Sequence, residues 1–165
     1  MSLWVTDSSP LIFLAKLNRL DLLRKQAEDI LAPPAVLGEI AGQDDEAAFR
    51  VEEARRTWLQ VRPVKDLRLR PVLKRELGDG EAEAIALALE KNAARIVLDD
   101  LDARRLADRL GLKVIGTLGL LLTAKLRGEI PSLRAEIDRL RRGGFRAAPA
   151  LIEEILRSAG EQDEE

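Results

Sequence analysis

Short apolar runs in this chain are each followed by helix-patterned sequence, and that alternation restricts the fold more than any other feature. Leu3 to Thr6 reads as a buried strand, followed by a helix over residues 10–17 and a further turn or two over 20–25. Ile30 and Leu31 form a second extended piece. Pro34 then suits the first turn of a helix that carries Val36, Leu37 and Ile40 and stops at Gly42. Ala48, Val51, Ala54 and Trp58 recur at helical spacing, so "DDEAAFRVEEARRTWL" is an amphipathic helix. "QVRPV" is briefly extended, and residues 67–80 read as charged and irregular. Thereafter helix "EAEAIALALEKN", strand "ARIVLDD", helix "LDARRLADRLGL", strand "KVIG" and helix "TLGLLLTAKLRG" follow in turn. Two last helices, "SLRAEIDRLRRGG" and "APALIEEILRSAG", each close at glycine. Short strands that alternate with helices argue for parallel pairing. The pattern therefore predicts an α/β fold with a small parallel sheet of about four to five strands and helices on both faces. Residues 1–160 read as one domain and 161–165 as a frayed acidic tail.

The chain has no histidine, cysteine or tyrosine. This excludes a Ser-His-Asp triad, a histidine general base, disulfides and thiolate or imidazole metal sites. Hydrolytic chemistry must then run on carboxylates, hydroxyls, Lys or Arg. Carboxylate sites favour hard ions such as Mg²⁺ or Mn²⁺. The net charge of −2 gives no global field to hold a polyanion, and 3% aromatics argues against base stacking as the main binding mode. No apolar run is long enough to span a membrane and no signal peptide is visible, so the expected compartment is the cytoplasm.

Acids recur where such a sheet forms its sites, outside the carboxyl ends of the strands. Asp7 ends the first strand; Asp99 and Asp100 end "RIVL", with Asp102 two residues on. Glu39 and Glu81 sit in otherwise apolar helical segments. Each acid also has a local explanation. Asp7 before Ser8, Ser9 and Pro10 can be a helix cap, and so can Asp99 or Asp100. Glu39 can face solvent, and Glu81 can be a first-turn acid favoured by the helix dipole. Gathered in one cleft, however, such acids repel. A pair about 4 Å apart costs about 4 kcal/mol at an effective dielectric near 20, and a divalent cation offsets that cost.

The ordered set "VTDSSPLI", "PPAVLGEI", "GEAEAIALALEKN" and "RIVLDDLDAR" resembles the PIN-domain family of metal-dependent nucleases, most closely a PIN-like subfamily with "VIGTLGLLLTAK" as a further mark. The resemblance runs over roughly residues 3–125. It implies a three-layer α/β/α fold and a Mg²⁺- or Mn²⁺-dependent endoribonuclease. It matches Asp7, Glu39 and Glu81 to the first three metal-site acids, although the wider family usually has Asp where Glu81 stands. Asp100 is matched to the fourth, with Asp99 as its alternative, and Asp102 is an outer candidate. Ser8 stands where the family has a Ser or Thr near metal and phosphate. PIN domains include toxin ribonucleases of toxin–antitoxin pairs, so the resemblance also implies an RNA substrate, a small antitoxin protein as partner and a homodimer.

Arg104 with Arg105 and Arg109, and the arginines of residues 134–146, could grip phosphates or line a solvated helix face. Thr117 opens the apolar helix as a cap or as a residue that orders the site. The apolar stripes of the last two helices complete the core or bind a partner. The alternative to a ribonuclease is a catalytically weak PIN-like module that binds RNA or protein. An aspartyl-phosphate chemistry at Asp7 is disfavoured, because Ser9 stands where a phosphatase has a second Asp.

Overall fold

In the computed structural model, residues 2–43 and 45–161 are described. Five strands alternate with helices as follows: β1 (Leu3–Thr6), α1 (Ser8–Lys16), α2 (Asp21–Gln26), β2 (Asp29–Ala32), α3 (Pro34–Ala41), α4 (Glu46–Thr57), β3 (Leu59–Val61), α5 (Arg70–Leu73), α6 (Asp79–Glu90), β4 (Arg95–Val97), α7 (Leu101–Arg109), β5 (Val114–Ile115), α8 (Thr117–Leu126), α9 (Leu133–Arg142) and α10 (Pro149–Ser158). The architecture is the three-layer α/β arrangement anticipated from the sequence.

All strand pairs are parallel, in the order β3-β2-β1-β4-β5. The chain builds outward from β1 to β3, then returns to lay β4 on the other side of β1. Strand order reverses between β1 and β4, the switch point at whose carboxyl ends open parallel sheets place their binding crevice. Val5 pairs with Leu31 on one side and Ile96 on the other. The Asp7 amide donates to Val97 O at 3.0 Å, which fixes the end of β1 against β4.

Val5, Ile96, Val97 and Leu98 are fully buried, as expected of central parallel strands covered on both faces. Helix α6 packs on α3, β1 and β4. Ala82, Ala84, Ile85, Leu87 and Ala88 are all 0% exposed, so this helix is apolar nearly all round. Its alanines let the backbone come close to the sheet. That close packing carries the N-terminus of α6 to the crevice.

Three local expectations change. Helix α1 starts at Ser8 rather than Pro10, because a proline inside the first turn costs no intrahelical hydrogen bond. The segment read as irregular contains the short helix α5, with Pro71 in its first turn. Glu161 is not frayed. It accepts from the Leu133 and Arg134 amides at 2.6 and 3.1 Å and so covers the open N-terminus of α9. The rest of the expected tail, residues 162–165, lies outside the described residues. Leu133, Ile137, Leu140, Ile152 and Leu156 are buried, so most of the stripe on α9 and α10 completes the core.

Candidate active site

Asp7 follows β1 directly and occupies the N-cap position of α1, but its side chain caps nothing. Asp7 is 3% exposed, and its Oδ1 is buried with no hydrogen-bond partner. The cap reading of this residue therefore fails. Burial pushes its carboxyl from 3.8 up to about 7. The Ser8 backbone amide pulls the other way, and the charges of Glu81, Glu39 and Asp99 add to the rise.

Glu39 reaches the crevice from α3. Ser8 Oγ donates to its Oε2 at 2.8 Å, and the Gly80 amide donates to its Oε1 at 2.9 Å. These two bonds tie the N-termini of α1 and α6 to one carboxylate. Gly80 is buried, and a Cβ there would lie 2.6 Å from Glu39 Oε1. A side chain there would push the exposed Glu39 carboxylate off the Gly80 amide.

Glu81 is at the third position of α6 and accepts from the Gly78 amide at 3.3 Å. This is half of a capping box; Gly78 has no side chain to return the bond. Half-burial raises its pKa, the Gly78 amide opposes the rise, and the nearby charges of Asp100 and Glu39 add to it.

The two acids after β4 diverge. Asp99 is held by Thr117, whose amide and Oγ1 each donate to it at 2.7 Å. Burial raises the Asp99 pKa, while the Thr117 bonds and the Arg104 guanidinium restrain the rise. Asp100 is exposed and caps α7 by accepting from the Ala103 amide at 3.0 Å, and its charge adjoins Glu81. Asp99 thus faces Asp7, and Asp100 faces Glu81. Asp102 is exposed in the first turn of α7 and joins none of the cluster's hydrogen bonds. Thr117 is completely buried and does not cap α8; Gly116 holds that position. A Cβ on Gly116 would lie 2.5 Å from Arg104 Nη1 and 3.0 Å from Asp99 Oδ1, so this glycine separates the cation from the acid without crowding either.

The structure thus brings Glu39, Glu81 and Asp99 within electrostatic reach of Asp7, and Asp100 within reach of Glu81, at the switch point. Ser8, Thr117 and Arg104 are set behind them. The N-termini of α1, α6, α7 and α8 open on the same crevice and favour negative charge there. Glu39, Glu81, Asp99 and Asp100 each accept a hydrogen bond of their own, whereas Asp7 Oδ1 accepts none. Among the described residues, no three carboxylates stand close enough to enclose a metal ion in this conformation. Gly80 and Gly116 were not singled out from sequence. Their signal was glycine at a helix start, next to acids in "GDGEAE" and before Thr117 in "IGT".

A family model, DUF3368, described as a PIN domain, matches residues 3–161. No curated protein matches significantly. Among solved structures, a PilT N-terminus domain protein from the hyperthermophilic archaeon Sulfolobus solfataricus P2 is similar at 22% identity and a TM-score of 0.48. The match covers 74% of this chain and 92% of that one. With its acids in the anticipated order at the switch point and the family match spanning nearly its whole length, the chain belongs to the PIN domain family, whose members are generally nucleases and usually use divalent metal ions.

Proposed function

We propose that this protein is a Mg²⁺- or Mn²⁺-dependent endoribonuclease that hydrolyses RNA phosphodiester bonds at the carboxylate cluster. One observation carries the proposal: Asp7 Oδ1, buried and unpartnered, amid the charges of Glu81, Glu39 and Asp99. A buried acceptor without a donor is costly, and neighbouring negative charges add to the cost. A hard cation offsets both, and the all-oxygen donor set suits one. Asp7, Glu39, Glu81 and Asp99 or Asp100 would hold it. When bound, such an ion polarises a phosphodiester and lowers the pKa of water.

The chain's own residues supply positioning. Ser8 Oγ and the Gly80 amide fix both oxygens of Glu39, and Thr117 fixes Asp99. Arg104, whose charge reaches Asp99, would offset charge on a phosphate. With its carboxyl pushed up to about 7, Asp7 is about half protonated near neutral pH, and a bound cation would displace that proton.

Cleavage of single-stranded RNA with Mn²⁺ and with EDTA tests this. Wild type should cut only with the ion, and Asp7→Asn should lose at least about 100-fold in rate. Parallel Asp99→Asn and Asp100→Asn variants identify the fourth acid. The biological setting we propose is the toxin of a toxin–antitoxin pair. Growth arrest on induced expression, relieved by Asp7→Asn, tests that setting. The second reading, a module that binds without cleaving, is favoured by the engaged state of Glu39, Glu81, Asp99 and Asp100. Absence of any ion-dependent, Asp7-dependent cleavage would establish it over the enzyme.

A further inference from the structure

A cluster of carboxylates repels the polyanion it is proposed to cut, so the RNA must be held beside the cluster rather than by it. Residues 62–76 have the charge for this. Arg62, Lys65, Arg68, Arg70, Lys74 and Arg75 stand against Asp66 and Glu76, a net +4 in a chain of net −2. The segment leaves β3 and runs back along α6. Glu90 Oε1 accepts from the Lys65 and Asp66 amides at 2.8 and 2.7 Å. Arg70 pairs with Glu83 at 2.7 Å, and Lys74 with Asp79 at 3.2 Å. Partners on α6 therefore step from its last residue to its first, over about 16 Å of helix. The strap ends at Gly78, whose amide is bonded to Glu81 of the site.

Anchoring uses Arg70 and Lys74 and leaves the other cations outward. Lys65, Arg68 and Arg75 are exposed. Lys65 and Arg75 have no side-chain partner among the described residues, and Arg68 meets only its neighbour Asp66. Leu67, Leu69 and Val72 lie exposed between them, at 51%, 43% and 58%. Exposed cations spaced along a track that ends at the acids match the phosphates of a single strand, with the aliphatic side chains between them offering apolar contact to unpaired bases.

We propose that residues 62–76 form the docking strap that leads single-stranded RNA to the carboxylate cluster. This rests on the ribonuclease reading, but it is tested by binding rather than by cleavage.

A short unstructured RNA carrying a fluorescein label is titrated with protein in EDTA, by anisotropy, across a range of KCl. Wild type and Asp7→Asn should bind. The triple variant Lys65→Gln/Arg68→Gln/Arg75→Gln should lose at least about tenfold in affinity. Its log–log salt slope should fall by about 2, from three phosphate contacts at about 0.7 each. A control, Arg55→Gln/Arg56→Gln on the exposed face of α4, should bind as wild type. An unchanged melting temperature in the triple variant shows that the loss is not unfolding. Equal binding by wild type and the strap variant, or no RNA binding by wild type, overturns the proposal. Unchanged RNA binding with lost binding of an acidic peptide overturns it in favour of a protein partner. Intact, strap-dependent binding with no ion-dependent cleavage upholds the strap and sinks the ribonuclease reading instead.

Discussion

Replacing the central acid should stabilise the metal-free protein while it destroys the proposed activity. Burial raises the Asp7 carboxyl from 3.8 to about 7. The folded state therefore binds this proton more tightly than the unfolded chain does. Its stabilising contribution is complete below about pH 4 and is lost as pH rises through about 7. The rise of about 3 pH units, at about 1.4 kcal/mol each, sets a loss of about 4 kcal/mol by pH 8. Asp7 is 3% exposed, so solvent screening reduces this little. Glu81 and Asp99 are raised as well, so they tilt stability the same way. Asp7→Asn removes the charge and keeps the shape. At pH 8 in EDTA it should gain about 2–4 kcal/mol, which is on the order of 10 °C in melting temperature. At pH 4 the two proteins should melt together. Thermal or urea unfolding from pH 4 to 8 measures both. If Asp7→Asn is no more stable than wild type at pH 8, or if wild type does not lose stability relative to it as pH rises, the reasoning about a buried carboxylate with an orphaned Oδ1 is wrong.

Other substitutions probe the supports of the site. Gly80→Ala places a methyl 2.6 Å from Glu39 Oε1 and displaces that carboxylate; it should change stability little and lower cleavage more than RNA binding, as read by urea unfolding and kinetics. Thr117→Val removes one of the two bonds to Asp99, so the Asp99 pKa should rise further and the acid limb of the cleavage profile should move to higher pH; an unmoved profile would count against a role for Asp99. Glu161→Ala uncovers the α9 amides and should cost about 1 kcal/mol, with proteolysis near residues 130–135 as a second readout.

The sheet and the ordered acids were legible because both depend on short-range pattern. Leu3 to Thr6, "RIVL" and "KVIG" are apolar runs set between helical periods, and the acids fall at their ends. Three features needed tertiary structure. "TDSSP" carries every mark of a helix cap, and only the burial of Oδ1 shows that the Asp7 side chain does not cap. "GDGEAE" reads as a helix start, yet the Gly80 amide serves a carboxylate 41 positions earlier. Thr117 looks like a cap and instead secures Asp99, 18 positions away. Helix α5 has four residues, too few for its periodicity to register. The closing acids read as a tail by composition, since nothing local in "GEQDEE" shows that Glu161 meets the amides of α9.

The central claim is that Asp7 Oδ1 is the anchor of a cation site. Calorimetric titration of Mn²⁺ into wild type and Asp7→Asn near pH 7 tests it most directly. Wild type should bind, with a heat that varies with the buffer because Asp7 gives up its proton on binding, and Asp7→Asn should show neither the binding nor the buffer dependence. Identical isotherms for the two proteins would contradict the account.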